Sequence, residues 1–350
     1  MKCTDVGWRV YVDEADSPSD CIAGTSGSAG SVLDGPLAES AELYEVGAMR
    51  TMAIASQKGG CGKTTTAINL AAGFTEFAKR VLLVDFDPQG HATIGMGHDP
   101  DAFNRTIYDV LIGEQVLSDA IVHTDVPKLD VAPCNVLLAA TEMELSRMPG
   151  KELLLARCLE TVQNSYDLCV IDCPPSVGVL TLNALIASSD VIVPVQMHYY
   201  AIEGLRRLLE TVQIMRGRFH ADSAETVGVL LTFVEERTGF SRQIQKQMRE
   251  VFGELVFDTV IHRNIRLAEA PSAGEPVFTY SPRSRGAADY RSLATEILQS
   301  SPSTPLRADS KARPSMQQRL ARLFNGVFVP GRERLGTRAR SDGLASIEST

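Results

Sequence analysis

The sequence predicts an α/β fold built on a doubly wound, mostly parallel sheet. Three observations predict it. Between residues 50 and 299, short β-branched or aliphatic runs alternate with stretches of helical periodicity. Several of those runs are apolar at every position, as strands covered on both faces are. Two of the runs end in carboxylates and a third leads into a glycine-rich turn, which puts reactive groups at the C-terminal ends of strands, where ligands of open α/β sheets bind.

In chain order, strands are expected over 52–56, 81–85, 129–133, 168–172, 191–196, 227–234 and 256–262. Helices are expected over 64–78, 151–164, 201–218, 241–252 and 287–298. In the first helix Ile68, Leu70, Ala71, Phe74 and Phe77 form an apolar face. The domain therefore covers 49–299. Residues 1–48 are rich in Ser, Gly, Ala and acids and read as a disordered extension; Met49 or Met52 offers an alternative start just before the first strand. Residues 300–350 read as a basic, largely disordered tail.

Charge and cysteine usage narrow the class. The formal net charge of −9 hides an acidic extension and a basic tail, with 49–300 itself acidic at about −7. Nucleic-acid binding by the folded part must use a local patch. Seven cysteines (Cys3, Cys21, Cys61, Cys134, Cys158, Cys169 and Cys173) stand singly, without zinc-site spacing. That pattern, with no apolar run long enough for a bilayer and no signal-like N-terminus, points to a reducing cytoplasm.

The chemistry begins at Gln57-Lys58-Gly59-Gly60-Cys61-Gly62-Lys63-Thr64-Thr65. A strand runs into a glycine-rich turn and then a helix, the setting of a P-loop. Gly59, Gly60 and Gly62 let the backbone present its N–H groups to phosphate oxygens, and the helix N-terminus adds its dipole. Lys63 supplies charge to the β- and γ-phosphates of ATP, and the Thr64 hydroxyl is placed for Mg²⁺. Gln57 stands where the general pattern has glycine, and Lys58 adds a second lysine. Two further strands end in carboxylates, Asp85 and Asp87 on one, Asp172 on the other. One such group serves the Mg²⁺ shell and another orients the attacking water.

These motifs, with Val84-Asp85-Phe86-Asp87-Pro88-Gln89-Gly90, Ile171-Asp172-Cys173-Pro174-Pro175-Ser176, Thr181-Leu182-Asn183-Ala184, Tyr199-Tyr200-Ala201-Ile202-Glu203-Gly204 and the segment from Arg263 to Ser272, resemble the ParA/MinD family of deviant Walker-A P-loop ATPases, specifically its ParA (Soj-like) partition branch. The resemblance covers about the whole of 50–299. It implies that Lys58 crosses an ATP-sandwich homodimer to the partner's phosphates, that Asp87 positions the hydrolytic water, and that Asp172 holds Mg²⁺ through water. It implies a nucleotide contact from Lys58 through Thr65 and an adenine edge near Ile261–Pro271. It further implies weak ATPase activity stimulated by a ParB-type partner, and non-specific double-stranded DNA binding on the nucleoid. Arg237 and Arg266 match arginines that contact DNA in this branch, and Arg242, Lys246 and Arg249 extend the patch; the plain alternative for each is a solvated side chain. Cys61, His91, Met197-His198 and His262 depart from the family pattern.

Two competing readings remain at this level. In the tail, Leu320, Leu323, Phe324, Val327 and Phe328 share a helical face within 315–328, beside Arg319 and Arg322. That helix would suit a membrane interface, as in a MinD-like membrane-cycling regulator, or a protein partner. A reductase like the nitrogenase iron protein shares the loop, and would need cysteines placed to bridge two subunits.

Overall fold

Each of the seven runs expected as strands forms one, and an eighth joins them. They are β1 (Arg50–Ile54), β2 (Val81–Asp85), β3 (Val122–His123), β4 (Leu129–Ala132), β5 (Leu168–Asp172), β6 (Asp190–Gln196), β7 (Thr226–Val234) and β8 (Val256–His262). The computed structural model describes residues 49–300, apart from 146, 177, 198–204, 206–207 and 213–225. The extension 1–48, the tail with its segment 315–328, and most of the helix expected over 201–218 lie outside the described residues; Leu205 and 208–212 are helical.

The strands make one sheet in the order β3-β4-β2-β5-β1-β6-β7-β8. Every pairing is parallel except β3 with β4. Side-chain alternation feeds two cores. On β1, Ala53 faces one core while Met52 and Ile54 face the other, and on β5 Cys169 and Ile171 oppose Leu168 and Val170. Both faces are dry, which explains the uninterrupted apolar runs. β3 escaped the sequence because two residues on an antiparallel edge carry no periodicity. β1 begins earlier than its apolar run because Arg50 is held there: its guanidinium grips Asp190 at 2.8 and 2.9 Å and donates to the Ile297 carbonyl.

Seven helices matter to the site: α1 (Lys63–Thr75), α2 (His91–Gly95), α3 (Leu154–Glu160), α4 (Val179–Ile186), α5 (Gly239–Phe252), α6 (Ile265–Glu269) and α7 (Arg285–Gln299). Two expectations need correction. The helix expected over 151–164 is broken: a 3-10 turn at Lys151–Leu153 precedes α3, and Thr161 ends it by donating its hydroxyl to the Cys158 carbonyl at 2.7 Å. Phe77 leaves the apolar face of the first helix and is exposed, because α1 stops at Thr75 and the chain turns away through Ala78 at φ 61°.

From β1 the connections run outward in both directions across the sheet. The loop after β1 therefore opens at the topological switch point, where strand ends splay into a crevice.

Candidate nucleotide site

The loop from Gln57 to Gly62 joins β1 to α1 with the backbone a phosphate cradle needs. Gly60 and Gly62 lie in the left-handed region, at φ 72° and 93°. A side chain at Gly62 would be strained there, and its Cβ would meet the Phe233 ring at 3.7 Å. Thr232 and Phe233, at the end of β7, brace the loop. Thr232 Oγ1 donates to the Cys61 carbonyl at 2.9 Å, and Phe233 itself holds φ 55°, a costly conformation for an aromatic residue. Sequence reasoning missed both residues; the one available signal was a lone threonine inside an apolar strand.

The two lysines diverge. Lys63 is buried, and its Nζ reaches the Lys58 carbonyl at 3.4 Å. The same carbonyl accepts the Cys61 thiol at 3.2 Å, so the departure from the family pattern at Cys61 serves to pin the loop. Lys58 points the other way, is exposed, and donates to Gln196 Oε1 at 3.1 Å. One loop thus offers one cation inward and one outward.

The carboxylates divide as sharply. β2 and β5 pair in register at Asp85 and Asp172, placing both at the crevice floor. Asp85 is fully buried but satisfied. Its Oδ2 accepts the Thr93 backbone N–H and hydroxyl, both at 2.7 Å, and its Oδ1 accepts the Asp87 N–H. Burial still pushes it up to about 6. Asp172 is also fully buried, and among the described residues neither of its carboxylate oxygens has a hydrogen-bond partner. Burial, then the nearby Asp85 charge, pushes its carboxyl well above the usual range, while Thr64 and Lys63 pull the other way. An orphaned buried carboxylate beside a threonine hydroxyl fits a hydrated divalent cation. Asp85, expected as one of three site carboxylates, is instead consumed by holding α2 to β2.

Asp87 lies at the lip, almost buried. Its Oδ1 accepts the Gln89 N–H at 3.1 Å, and its carbonyl accepts the Cys134 thiol at 2.8 Å. Oδ2 carries no bond to the described residues, leaving one carboxylate oxygen for a ligand.

The arginines expected for DNA follow β7 and β8. Arg237 is exposed and makes no ion pair with the described residues. α5 begins just beyond it, capped by Thr238 accepting from the Ser241 N–H. Its inner face buries Ile244, Met248 and Phe252, and Arg242 and Lys246 stand outward. Arg266 is exposed on α6 but is held by Glu269 at 2.8 Å, and Arg249 is drawn to Asp258 at 3.5 Å. The structure brings Lys58, Lys63, Thr64, Asp87 and Asp172 to one site and leaves the arginines on a separate edge.

A family described as an AAA domain matches residues 49–223. Relatives include the sporulation initiation inhibitor protein Soj of Bacillus subtilis, 47% identical over 71% of this chain and 98% of Soj. The chromosome partitioning protein ParA of Caulobacter vibrioides is 43% identical over 71% of this chain and 94% of ParA. Among solved structures, cobyrinic acid a,c-diamide synthase of Mycobacterium smegmatis, with bound ATP analogue and magnesium, superposes with a TM-score of 0.64 at 36% identity, over 72% and 95% of the two chains. The cell division ATPase MinD of Pyrococcus furiosus shares the fold, with a TM-score of 0.58 at 23% identity over 71% and 98%.

Proposed function

The chain belongs to the ParA/Soj branch of the ParA/MinD family of P-loop ATPases, and on that premise we propose that it is a partition ATPase. In this reading it binds ATP with Mg²⁺, dimerises around the nucleotide, and then binds double-stranded DNA on the nucleoid without sequence preference. Hydrolysis stimulated by a ParB-type partner releases it, and the cycle segregates chromosome or plasmid DNA.

The observation that carries this reading is the divergence of the two lysines. A metabolic phosphotransferase needs one lysine on its phosphates. An outward lysine at the mouth of the loop, held among the described residues only by the neutral Gln196 amide, is placed to meet the phosphates of a second site. Two facing triphosphates repel, and Lys58 donated across the interface offsets that repulsion.

Each residue then has a task. Backbone N–H groups from Gly59 to Thr65 surround the phosphates. Lys63 exchanges the Lys58 carbonyl for a phosphate oxygen, which makes a charge-assisted bond in place of a neutral acceptor. Thr64 and Asp172 would hold Mg²⁺, which when bound supplies positive charge against the phosphates. The unbonded Oδ2 of Asp87 accepts a hydrogen bond from the attacking water and orients it. Arg237, Arg242 and Arg266 face DNA phosphates, and dimerisation doubles those contacts, so affinity and its salt dependence rise together.

Co-sedimentation with random-sequence DNA at low salt tests the reading. Binding is expected with a non-hydrolysable ATP analogue and absent with ADP. Equal binding in both nucleotide states would contradict an ATP-gated cycle.

A further inference from the structure

The turn 235–238 that carries Arg237 also carries two acids that a polyanion would repel. Each is already answered. Glu235 pairs with Arg263 at 3.0 Å. Glu236 Oε1 accepts from Arg285 Nη2 at 2.9 Å and lies 2.9 Å from His262 Nε2. His262 closes β8 with its side chain only 11% exposed. Its Nδ1 sits 2.9 Å from Asp289 Oδ2 on α7, and that oxygen also accepts the His262 backbone N–H. The ring therefore ties β8 to α7 on one side and to the Arg237 turn on the other.

The crowded atom is Nε2. It faces an acceptor, Glu236 Oε1, and a donor, Arg285 Nη2, the latter at 2.7 Å. One ring nitrogen cannot serve both at once. A neutral imidazole with its proton on Nδ1, toward Asp289, accepts from Arg285. An imidazolium keeps that proton on Asp289, donates Nε2–H to Glu236 Oε1, the same oxygen that accepts Arg285, and so competes for it while repelling the guanidinium. Arg285 is half exposed, so it has solvent to turn into. The acids and cations around the ring are Glu236 from the turn, Asp289 and Arg285 from α7, and the neighbouring Arg263. His262 and Arg285 together hold the Glu236 carboxyl below the usual range.

We propose that His262 is a proton-operated toggle on the charge of the surface around Arg237: uptake of one proton moves Nε2 from Arg285 to Glu236 and releases the Arg285 guanidinium toward a DNA backbone. The regulation rests on reading this turn as DNA-facing. Linkage sets the sign. DNA favours the more cationic form, so binding tightens as pH falls.

The test has two independent arms, both on the full chain. In the first, DNA affinity of the ATP-loaded protein is measured from about pH 8 to about pH 6 for the wild type, His262→Gln and Arg285→Gln. The wild type should gain roughly three- to tenfold, the weight of one added cation beside phosphate, beyond any gain in His262→Gln, and Arg285→Gln should lose most of that excess. Equal pH slopes in all three overturn the proposal; if His262→Gln does not fold, Arg285→Gln alone carries the comparison. In the second, histidine ¹⁵N resonances of the nucleotide-free protein are titrated, with His262→Gln providing the assignment. Nε2 should titrate while Nδ1 stays protonated. Titration at Nδ1 overturns the toggle whatever the DNA result. Titration at Nε2 in a chain that binds no DNA at any pH keeps the toggle and overturns the DNA-facing role of the turn.

Discussion

The crevice floor and the arginine edge handle charge in opposite ways. On the floor, Lys63, Asp87 and Asp172 are buried, and Asp172 has no partner for either oxygen among the described residues. On the edge, Arg237, Arg242 and Arg266 stand in water. Buried charge is costly unless a ligand or an opposite charge answers it. The floor therefore holds its groups at the expense of stability and tolerates few substitutions. Exposed cations cost almost nothing to hold, act on phosphates roughly additively, and can be exchanged for neighbours. Removing a floor residue should abolish a step, whereas removing an edge residue should only weaken one.

Lys63→Ala should break the floor most completely. Truncating one partner of a desolvated charge pair costs roughly 2–5 kcal/mol, thirtyfold or more in nucleotide affinity, measured by titration with a fluorescent ATP analogue. Affinity close to that of the wild type would remove Lys63 from the phosphate site.

Asp172→Asn should separate function from stability. It should lose the Mg²⁺-dependent part of nucleotide affinity while making the nucleotide-free protein more stable, by roughly 1–3 kcal/mol, or about 3–10 °C in melting temperature. The pH dependence follows from the same burial. Asp85, pushed up to about 6, and Asp172, pushed well above the usual carboxylate range, are both raised above their unfolded values. Their contribution to stability is full below about pH 4 and is lost as pH rises through the folded values. Nucleotide-free wild type should lose melting temperature from pH 5 to pH 8 relative to Asp172→Asn, the gap widening by about 1.4 kcal/mol for each pH step of one until the folded value is passed. Parallel melting curves for the two proteins would show that Asp172 is answered by something other than a bound cation.

The edge should yield the smallest effects. Arg237→Ala should weaken DNA binding about three- to tenfold and lower the salt slope by about one. Arg266→Ala should cost less, because that guanidinium is shared with Glu269 at 2.8 Å. Comparable losses at both sites would mean that Glu269 releases Arg266 when DNA arrives.

The same contrast explains what the sequence could reveal. Floor residues were legible because burial and close packing restrict them to a glycine-rich turn and to strand ends, as at Gly62 and Asp172. Strands β1, β2 and β4 through β7 were legible because both faces are largely dry, and β8 by its β-branched and apolar residues. Thr232, Phe233, Gln196 and Thr93 were not, because each acts through one contact made across the fold, and no local pattern records a tertiary contact. Asp85 and Asp172 look alike in sequence, both ending apolar strands; only Thr93, at 2.7 Å, separates a structural carboxylate from one left free to take a ligand. The arginines match the family by position, yet nothing local distinguishes Arg237, without an ion pair among the described residues, from the paired Arg266.

The central claim is that Lys58 acts on the phosphates of a second copy. Sedimentation of Asp87→Ala with ATP and Mg²⁺, with and without Lys58→Ala, tests it most directly. Asp87→Ala should accumulate as a dimer, because the water is no longer oriented, and the double variant should bind ATP as a monomer. A double variant that dimerises as fully as Asp87→Ala would contradict the claim.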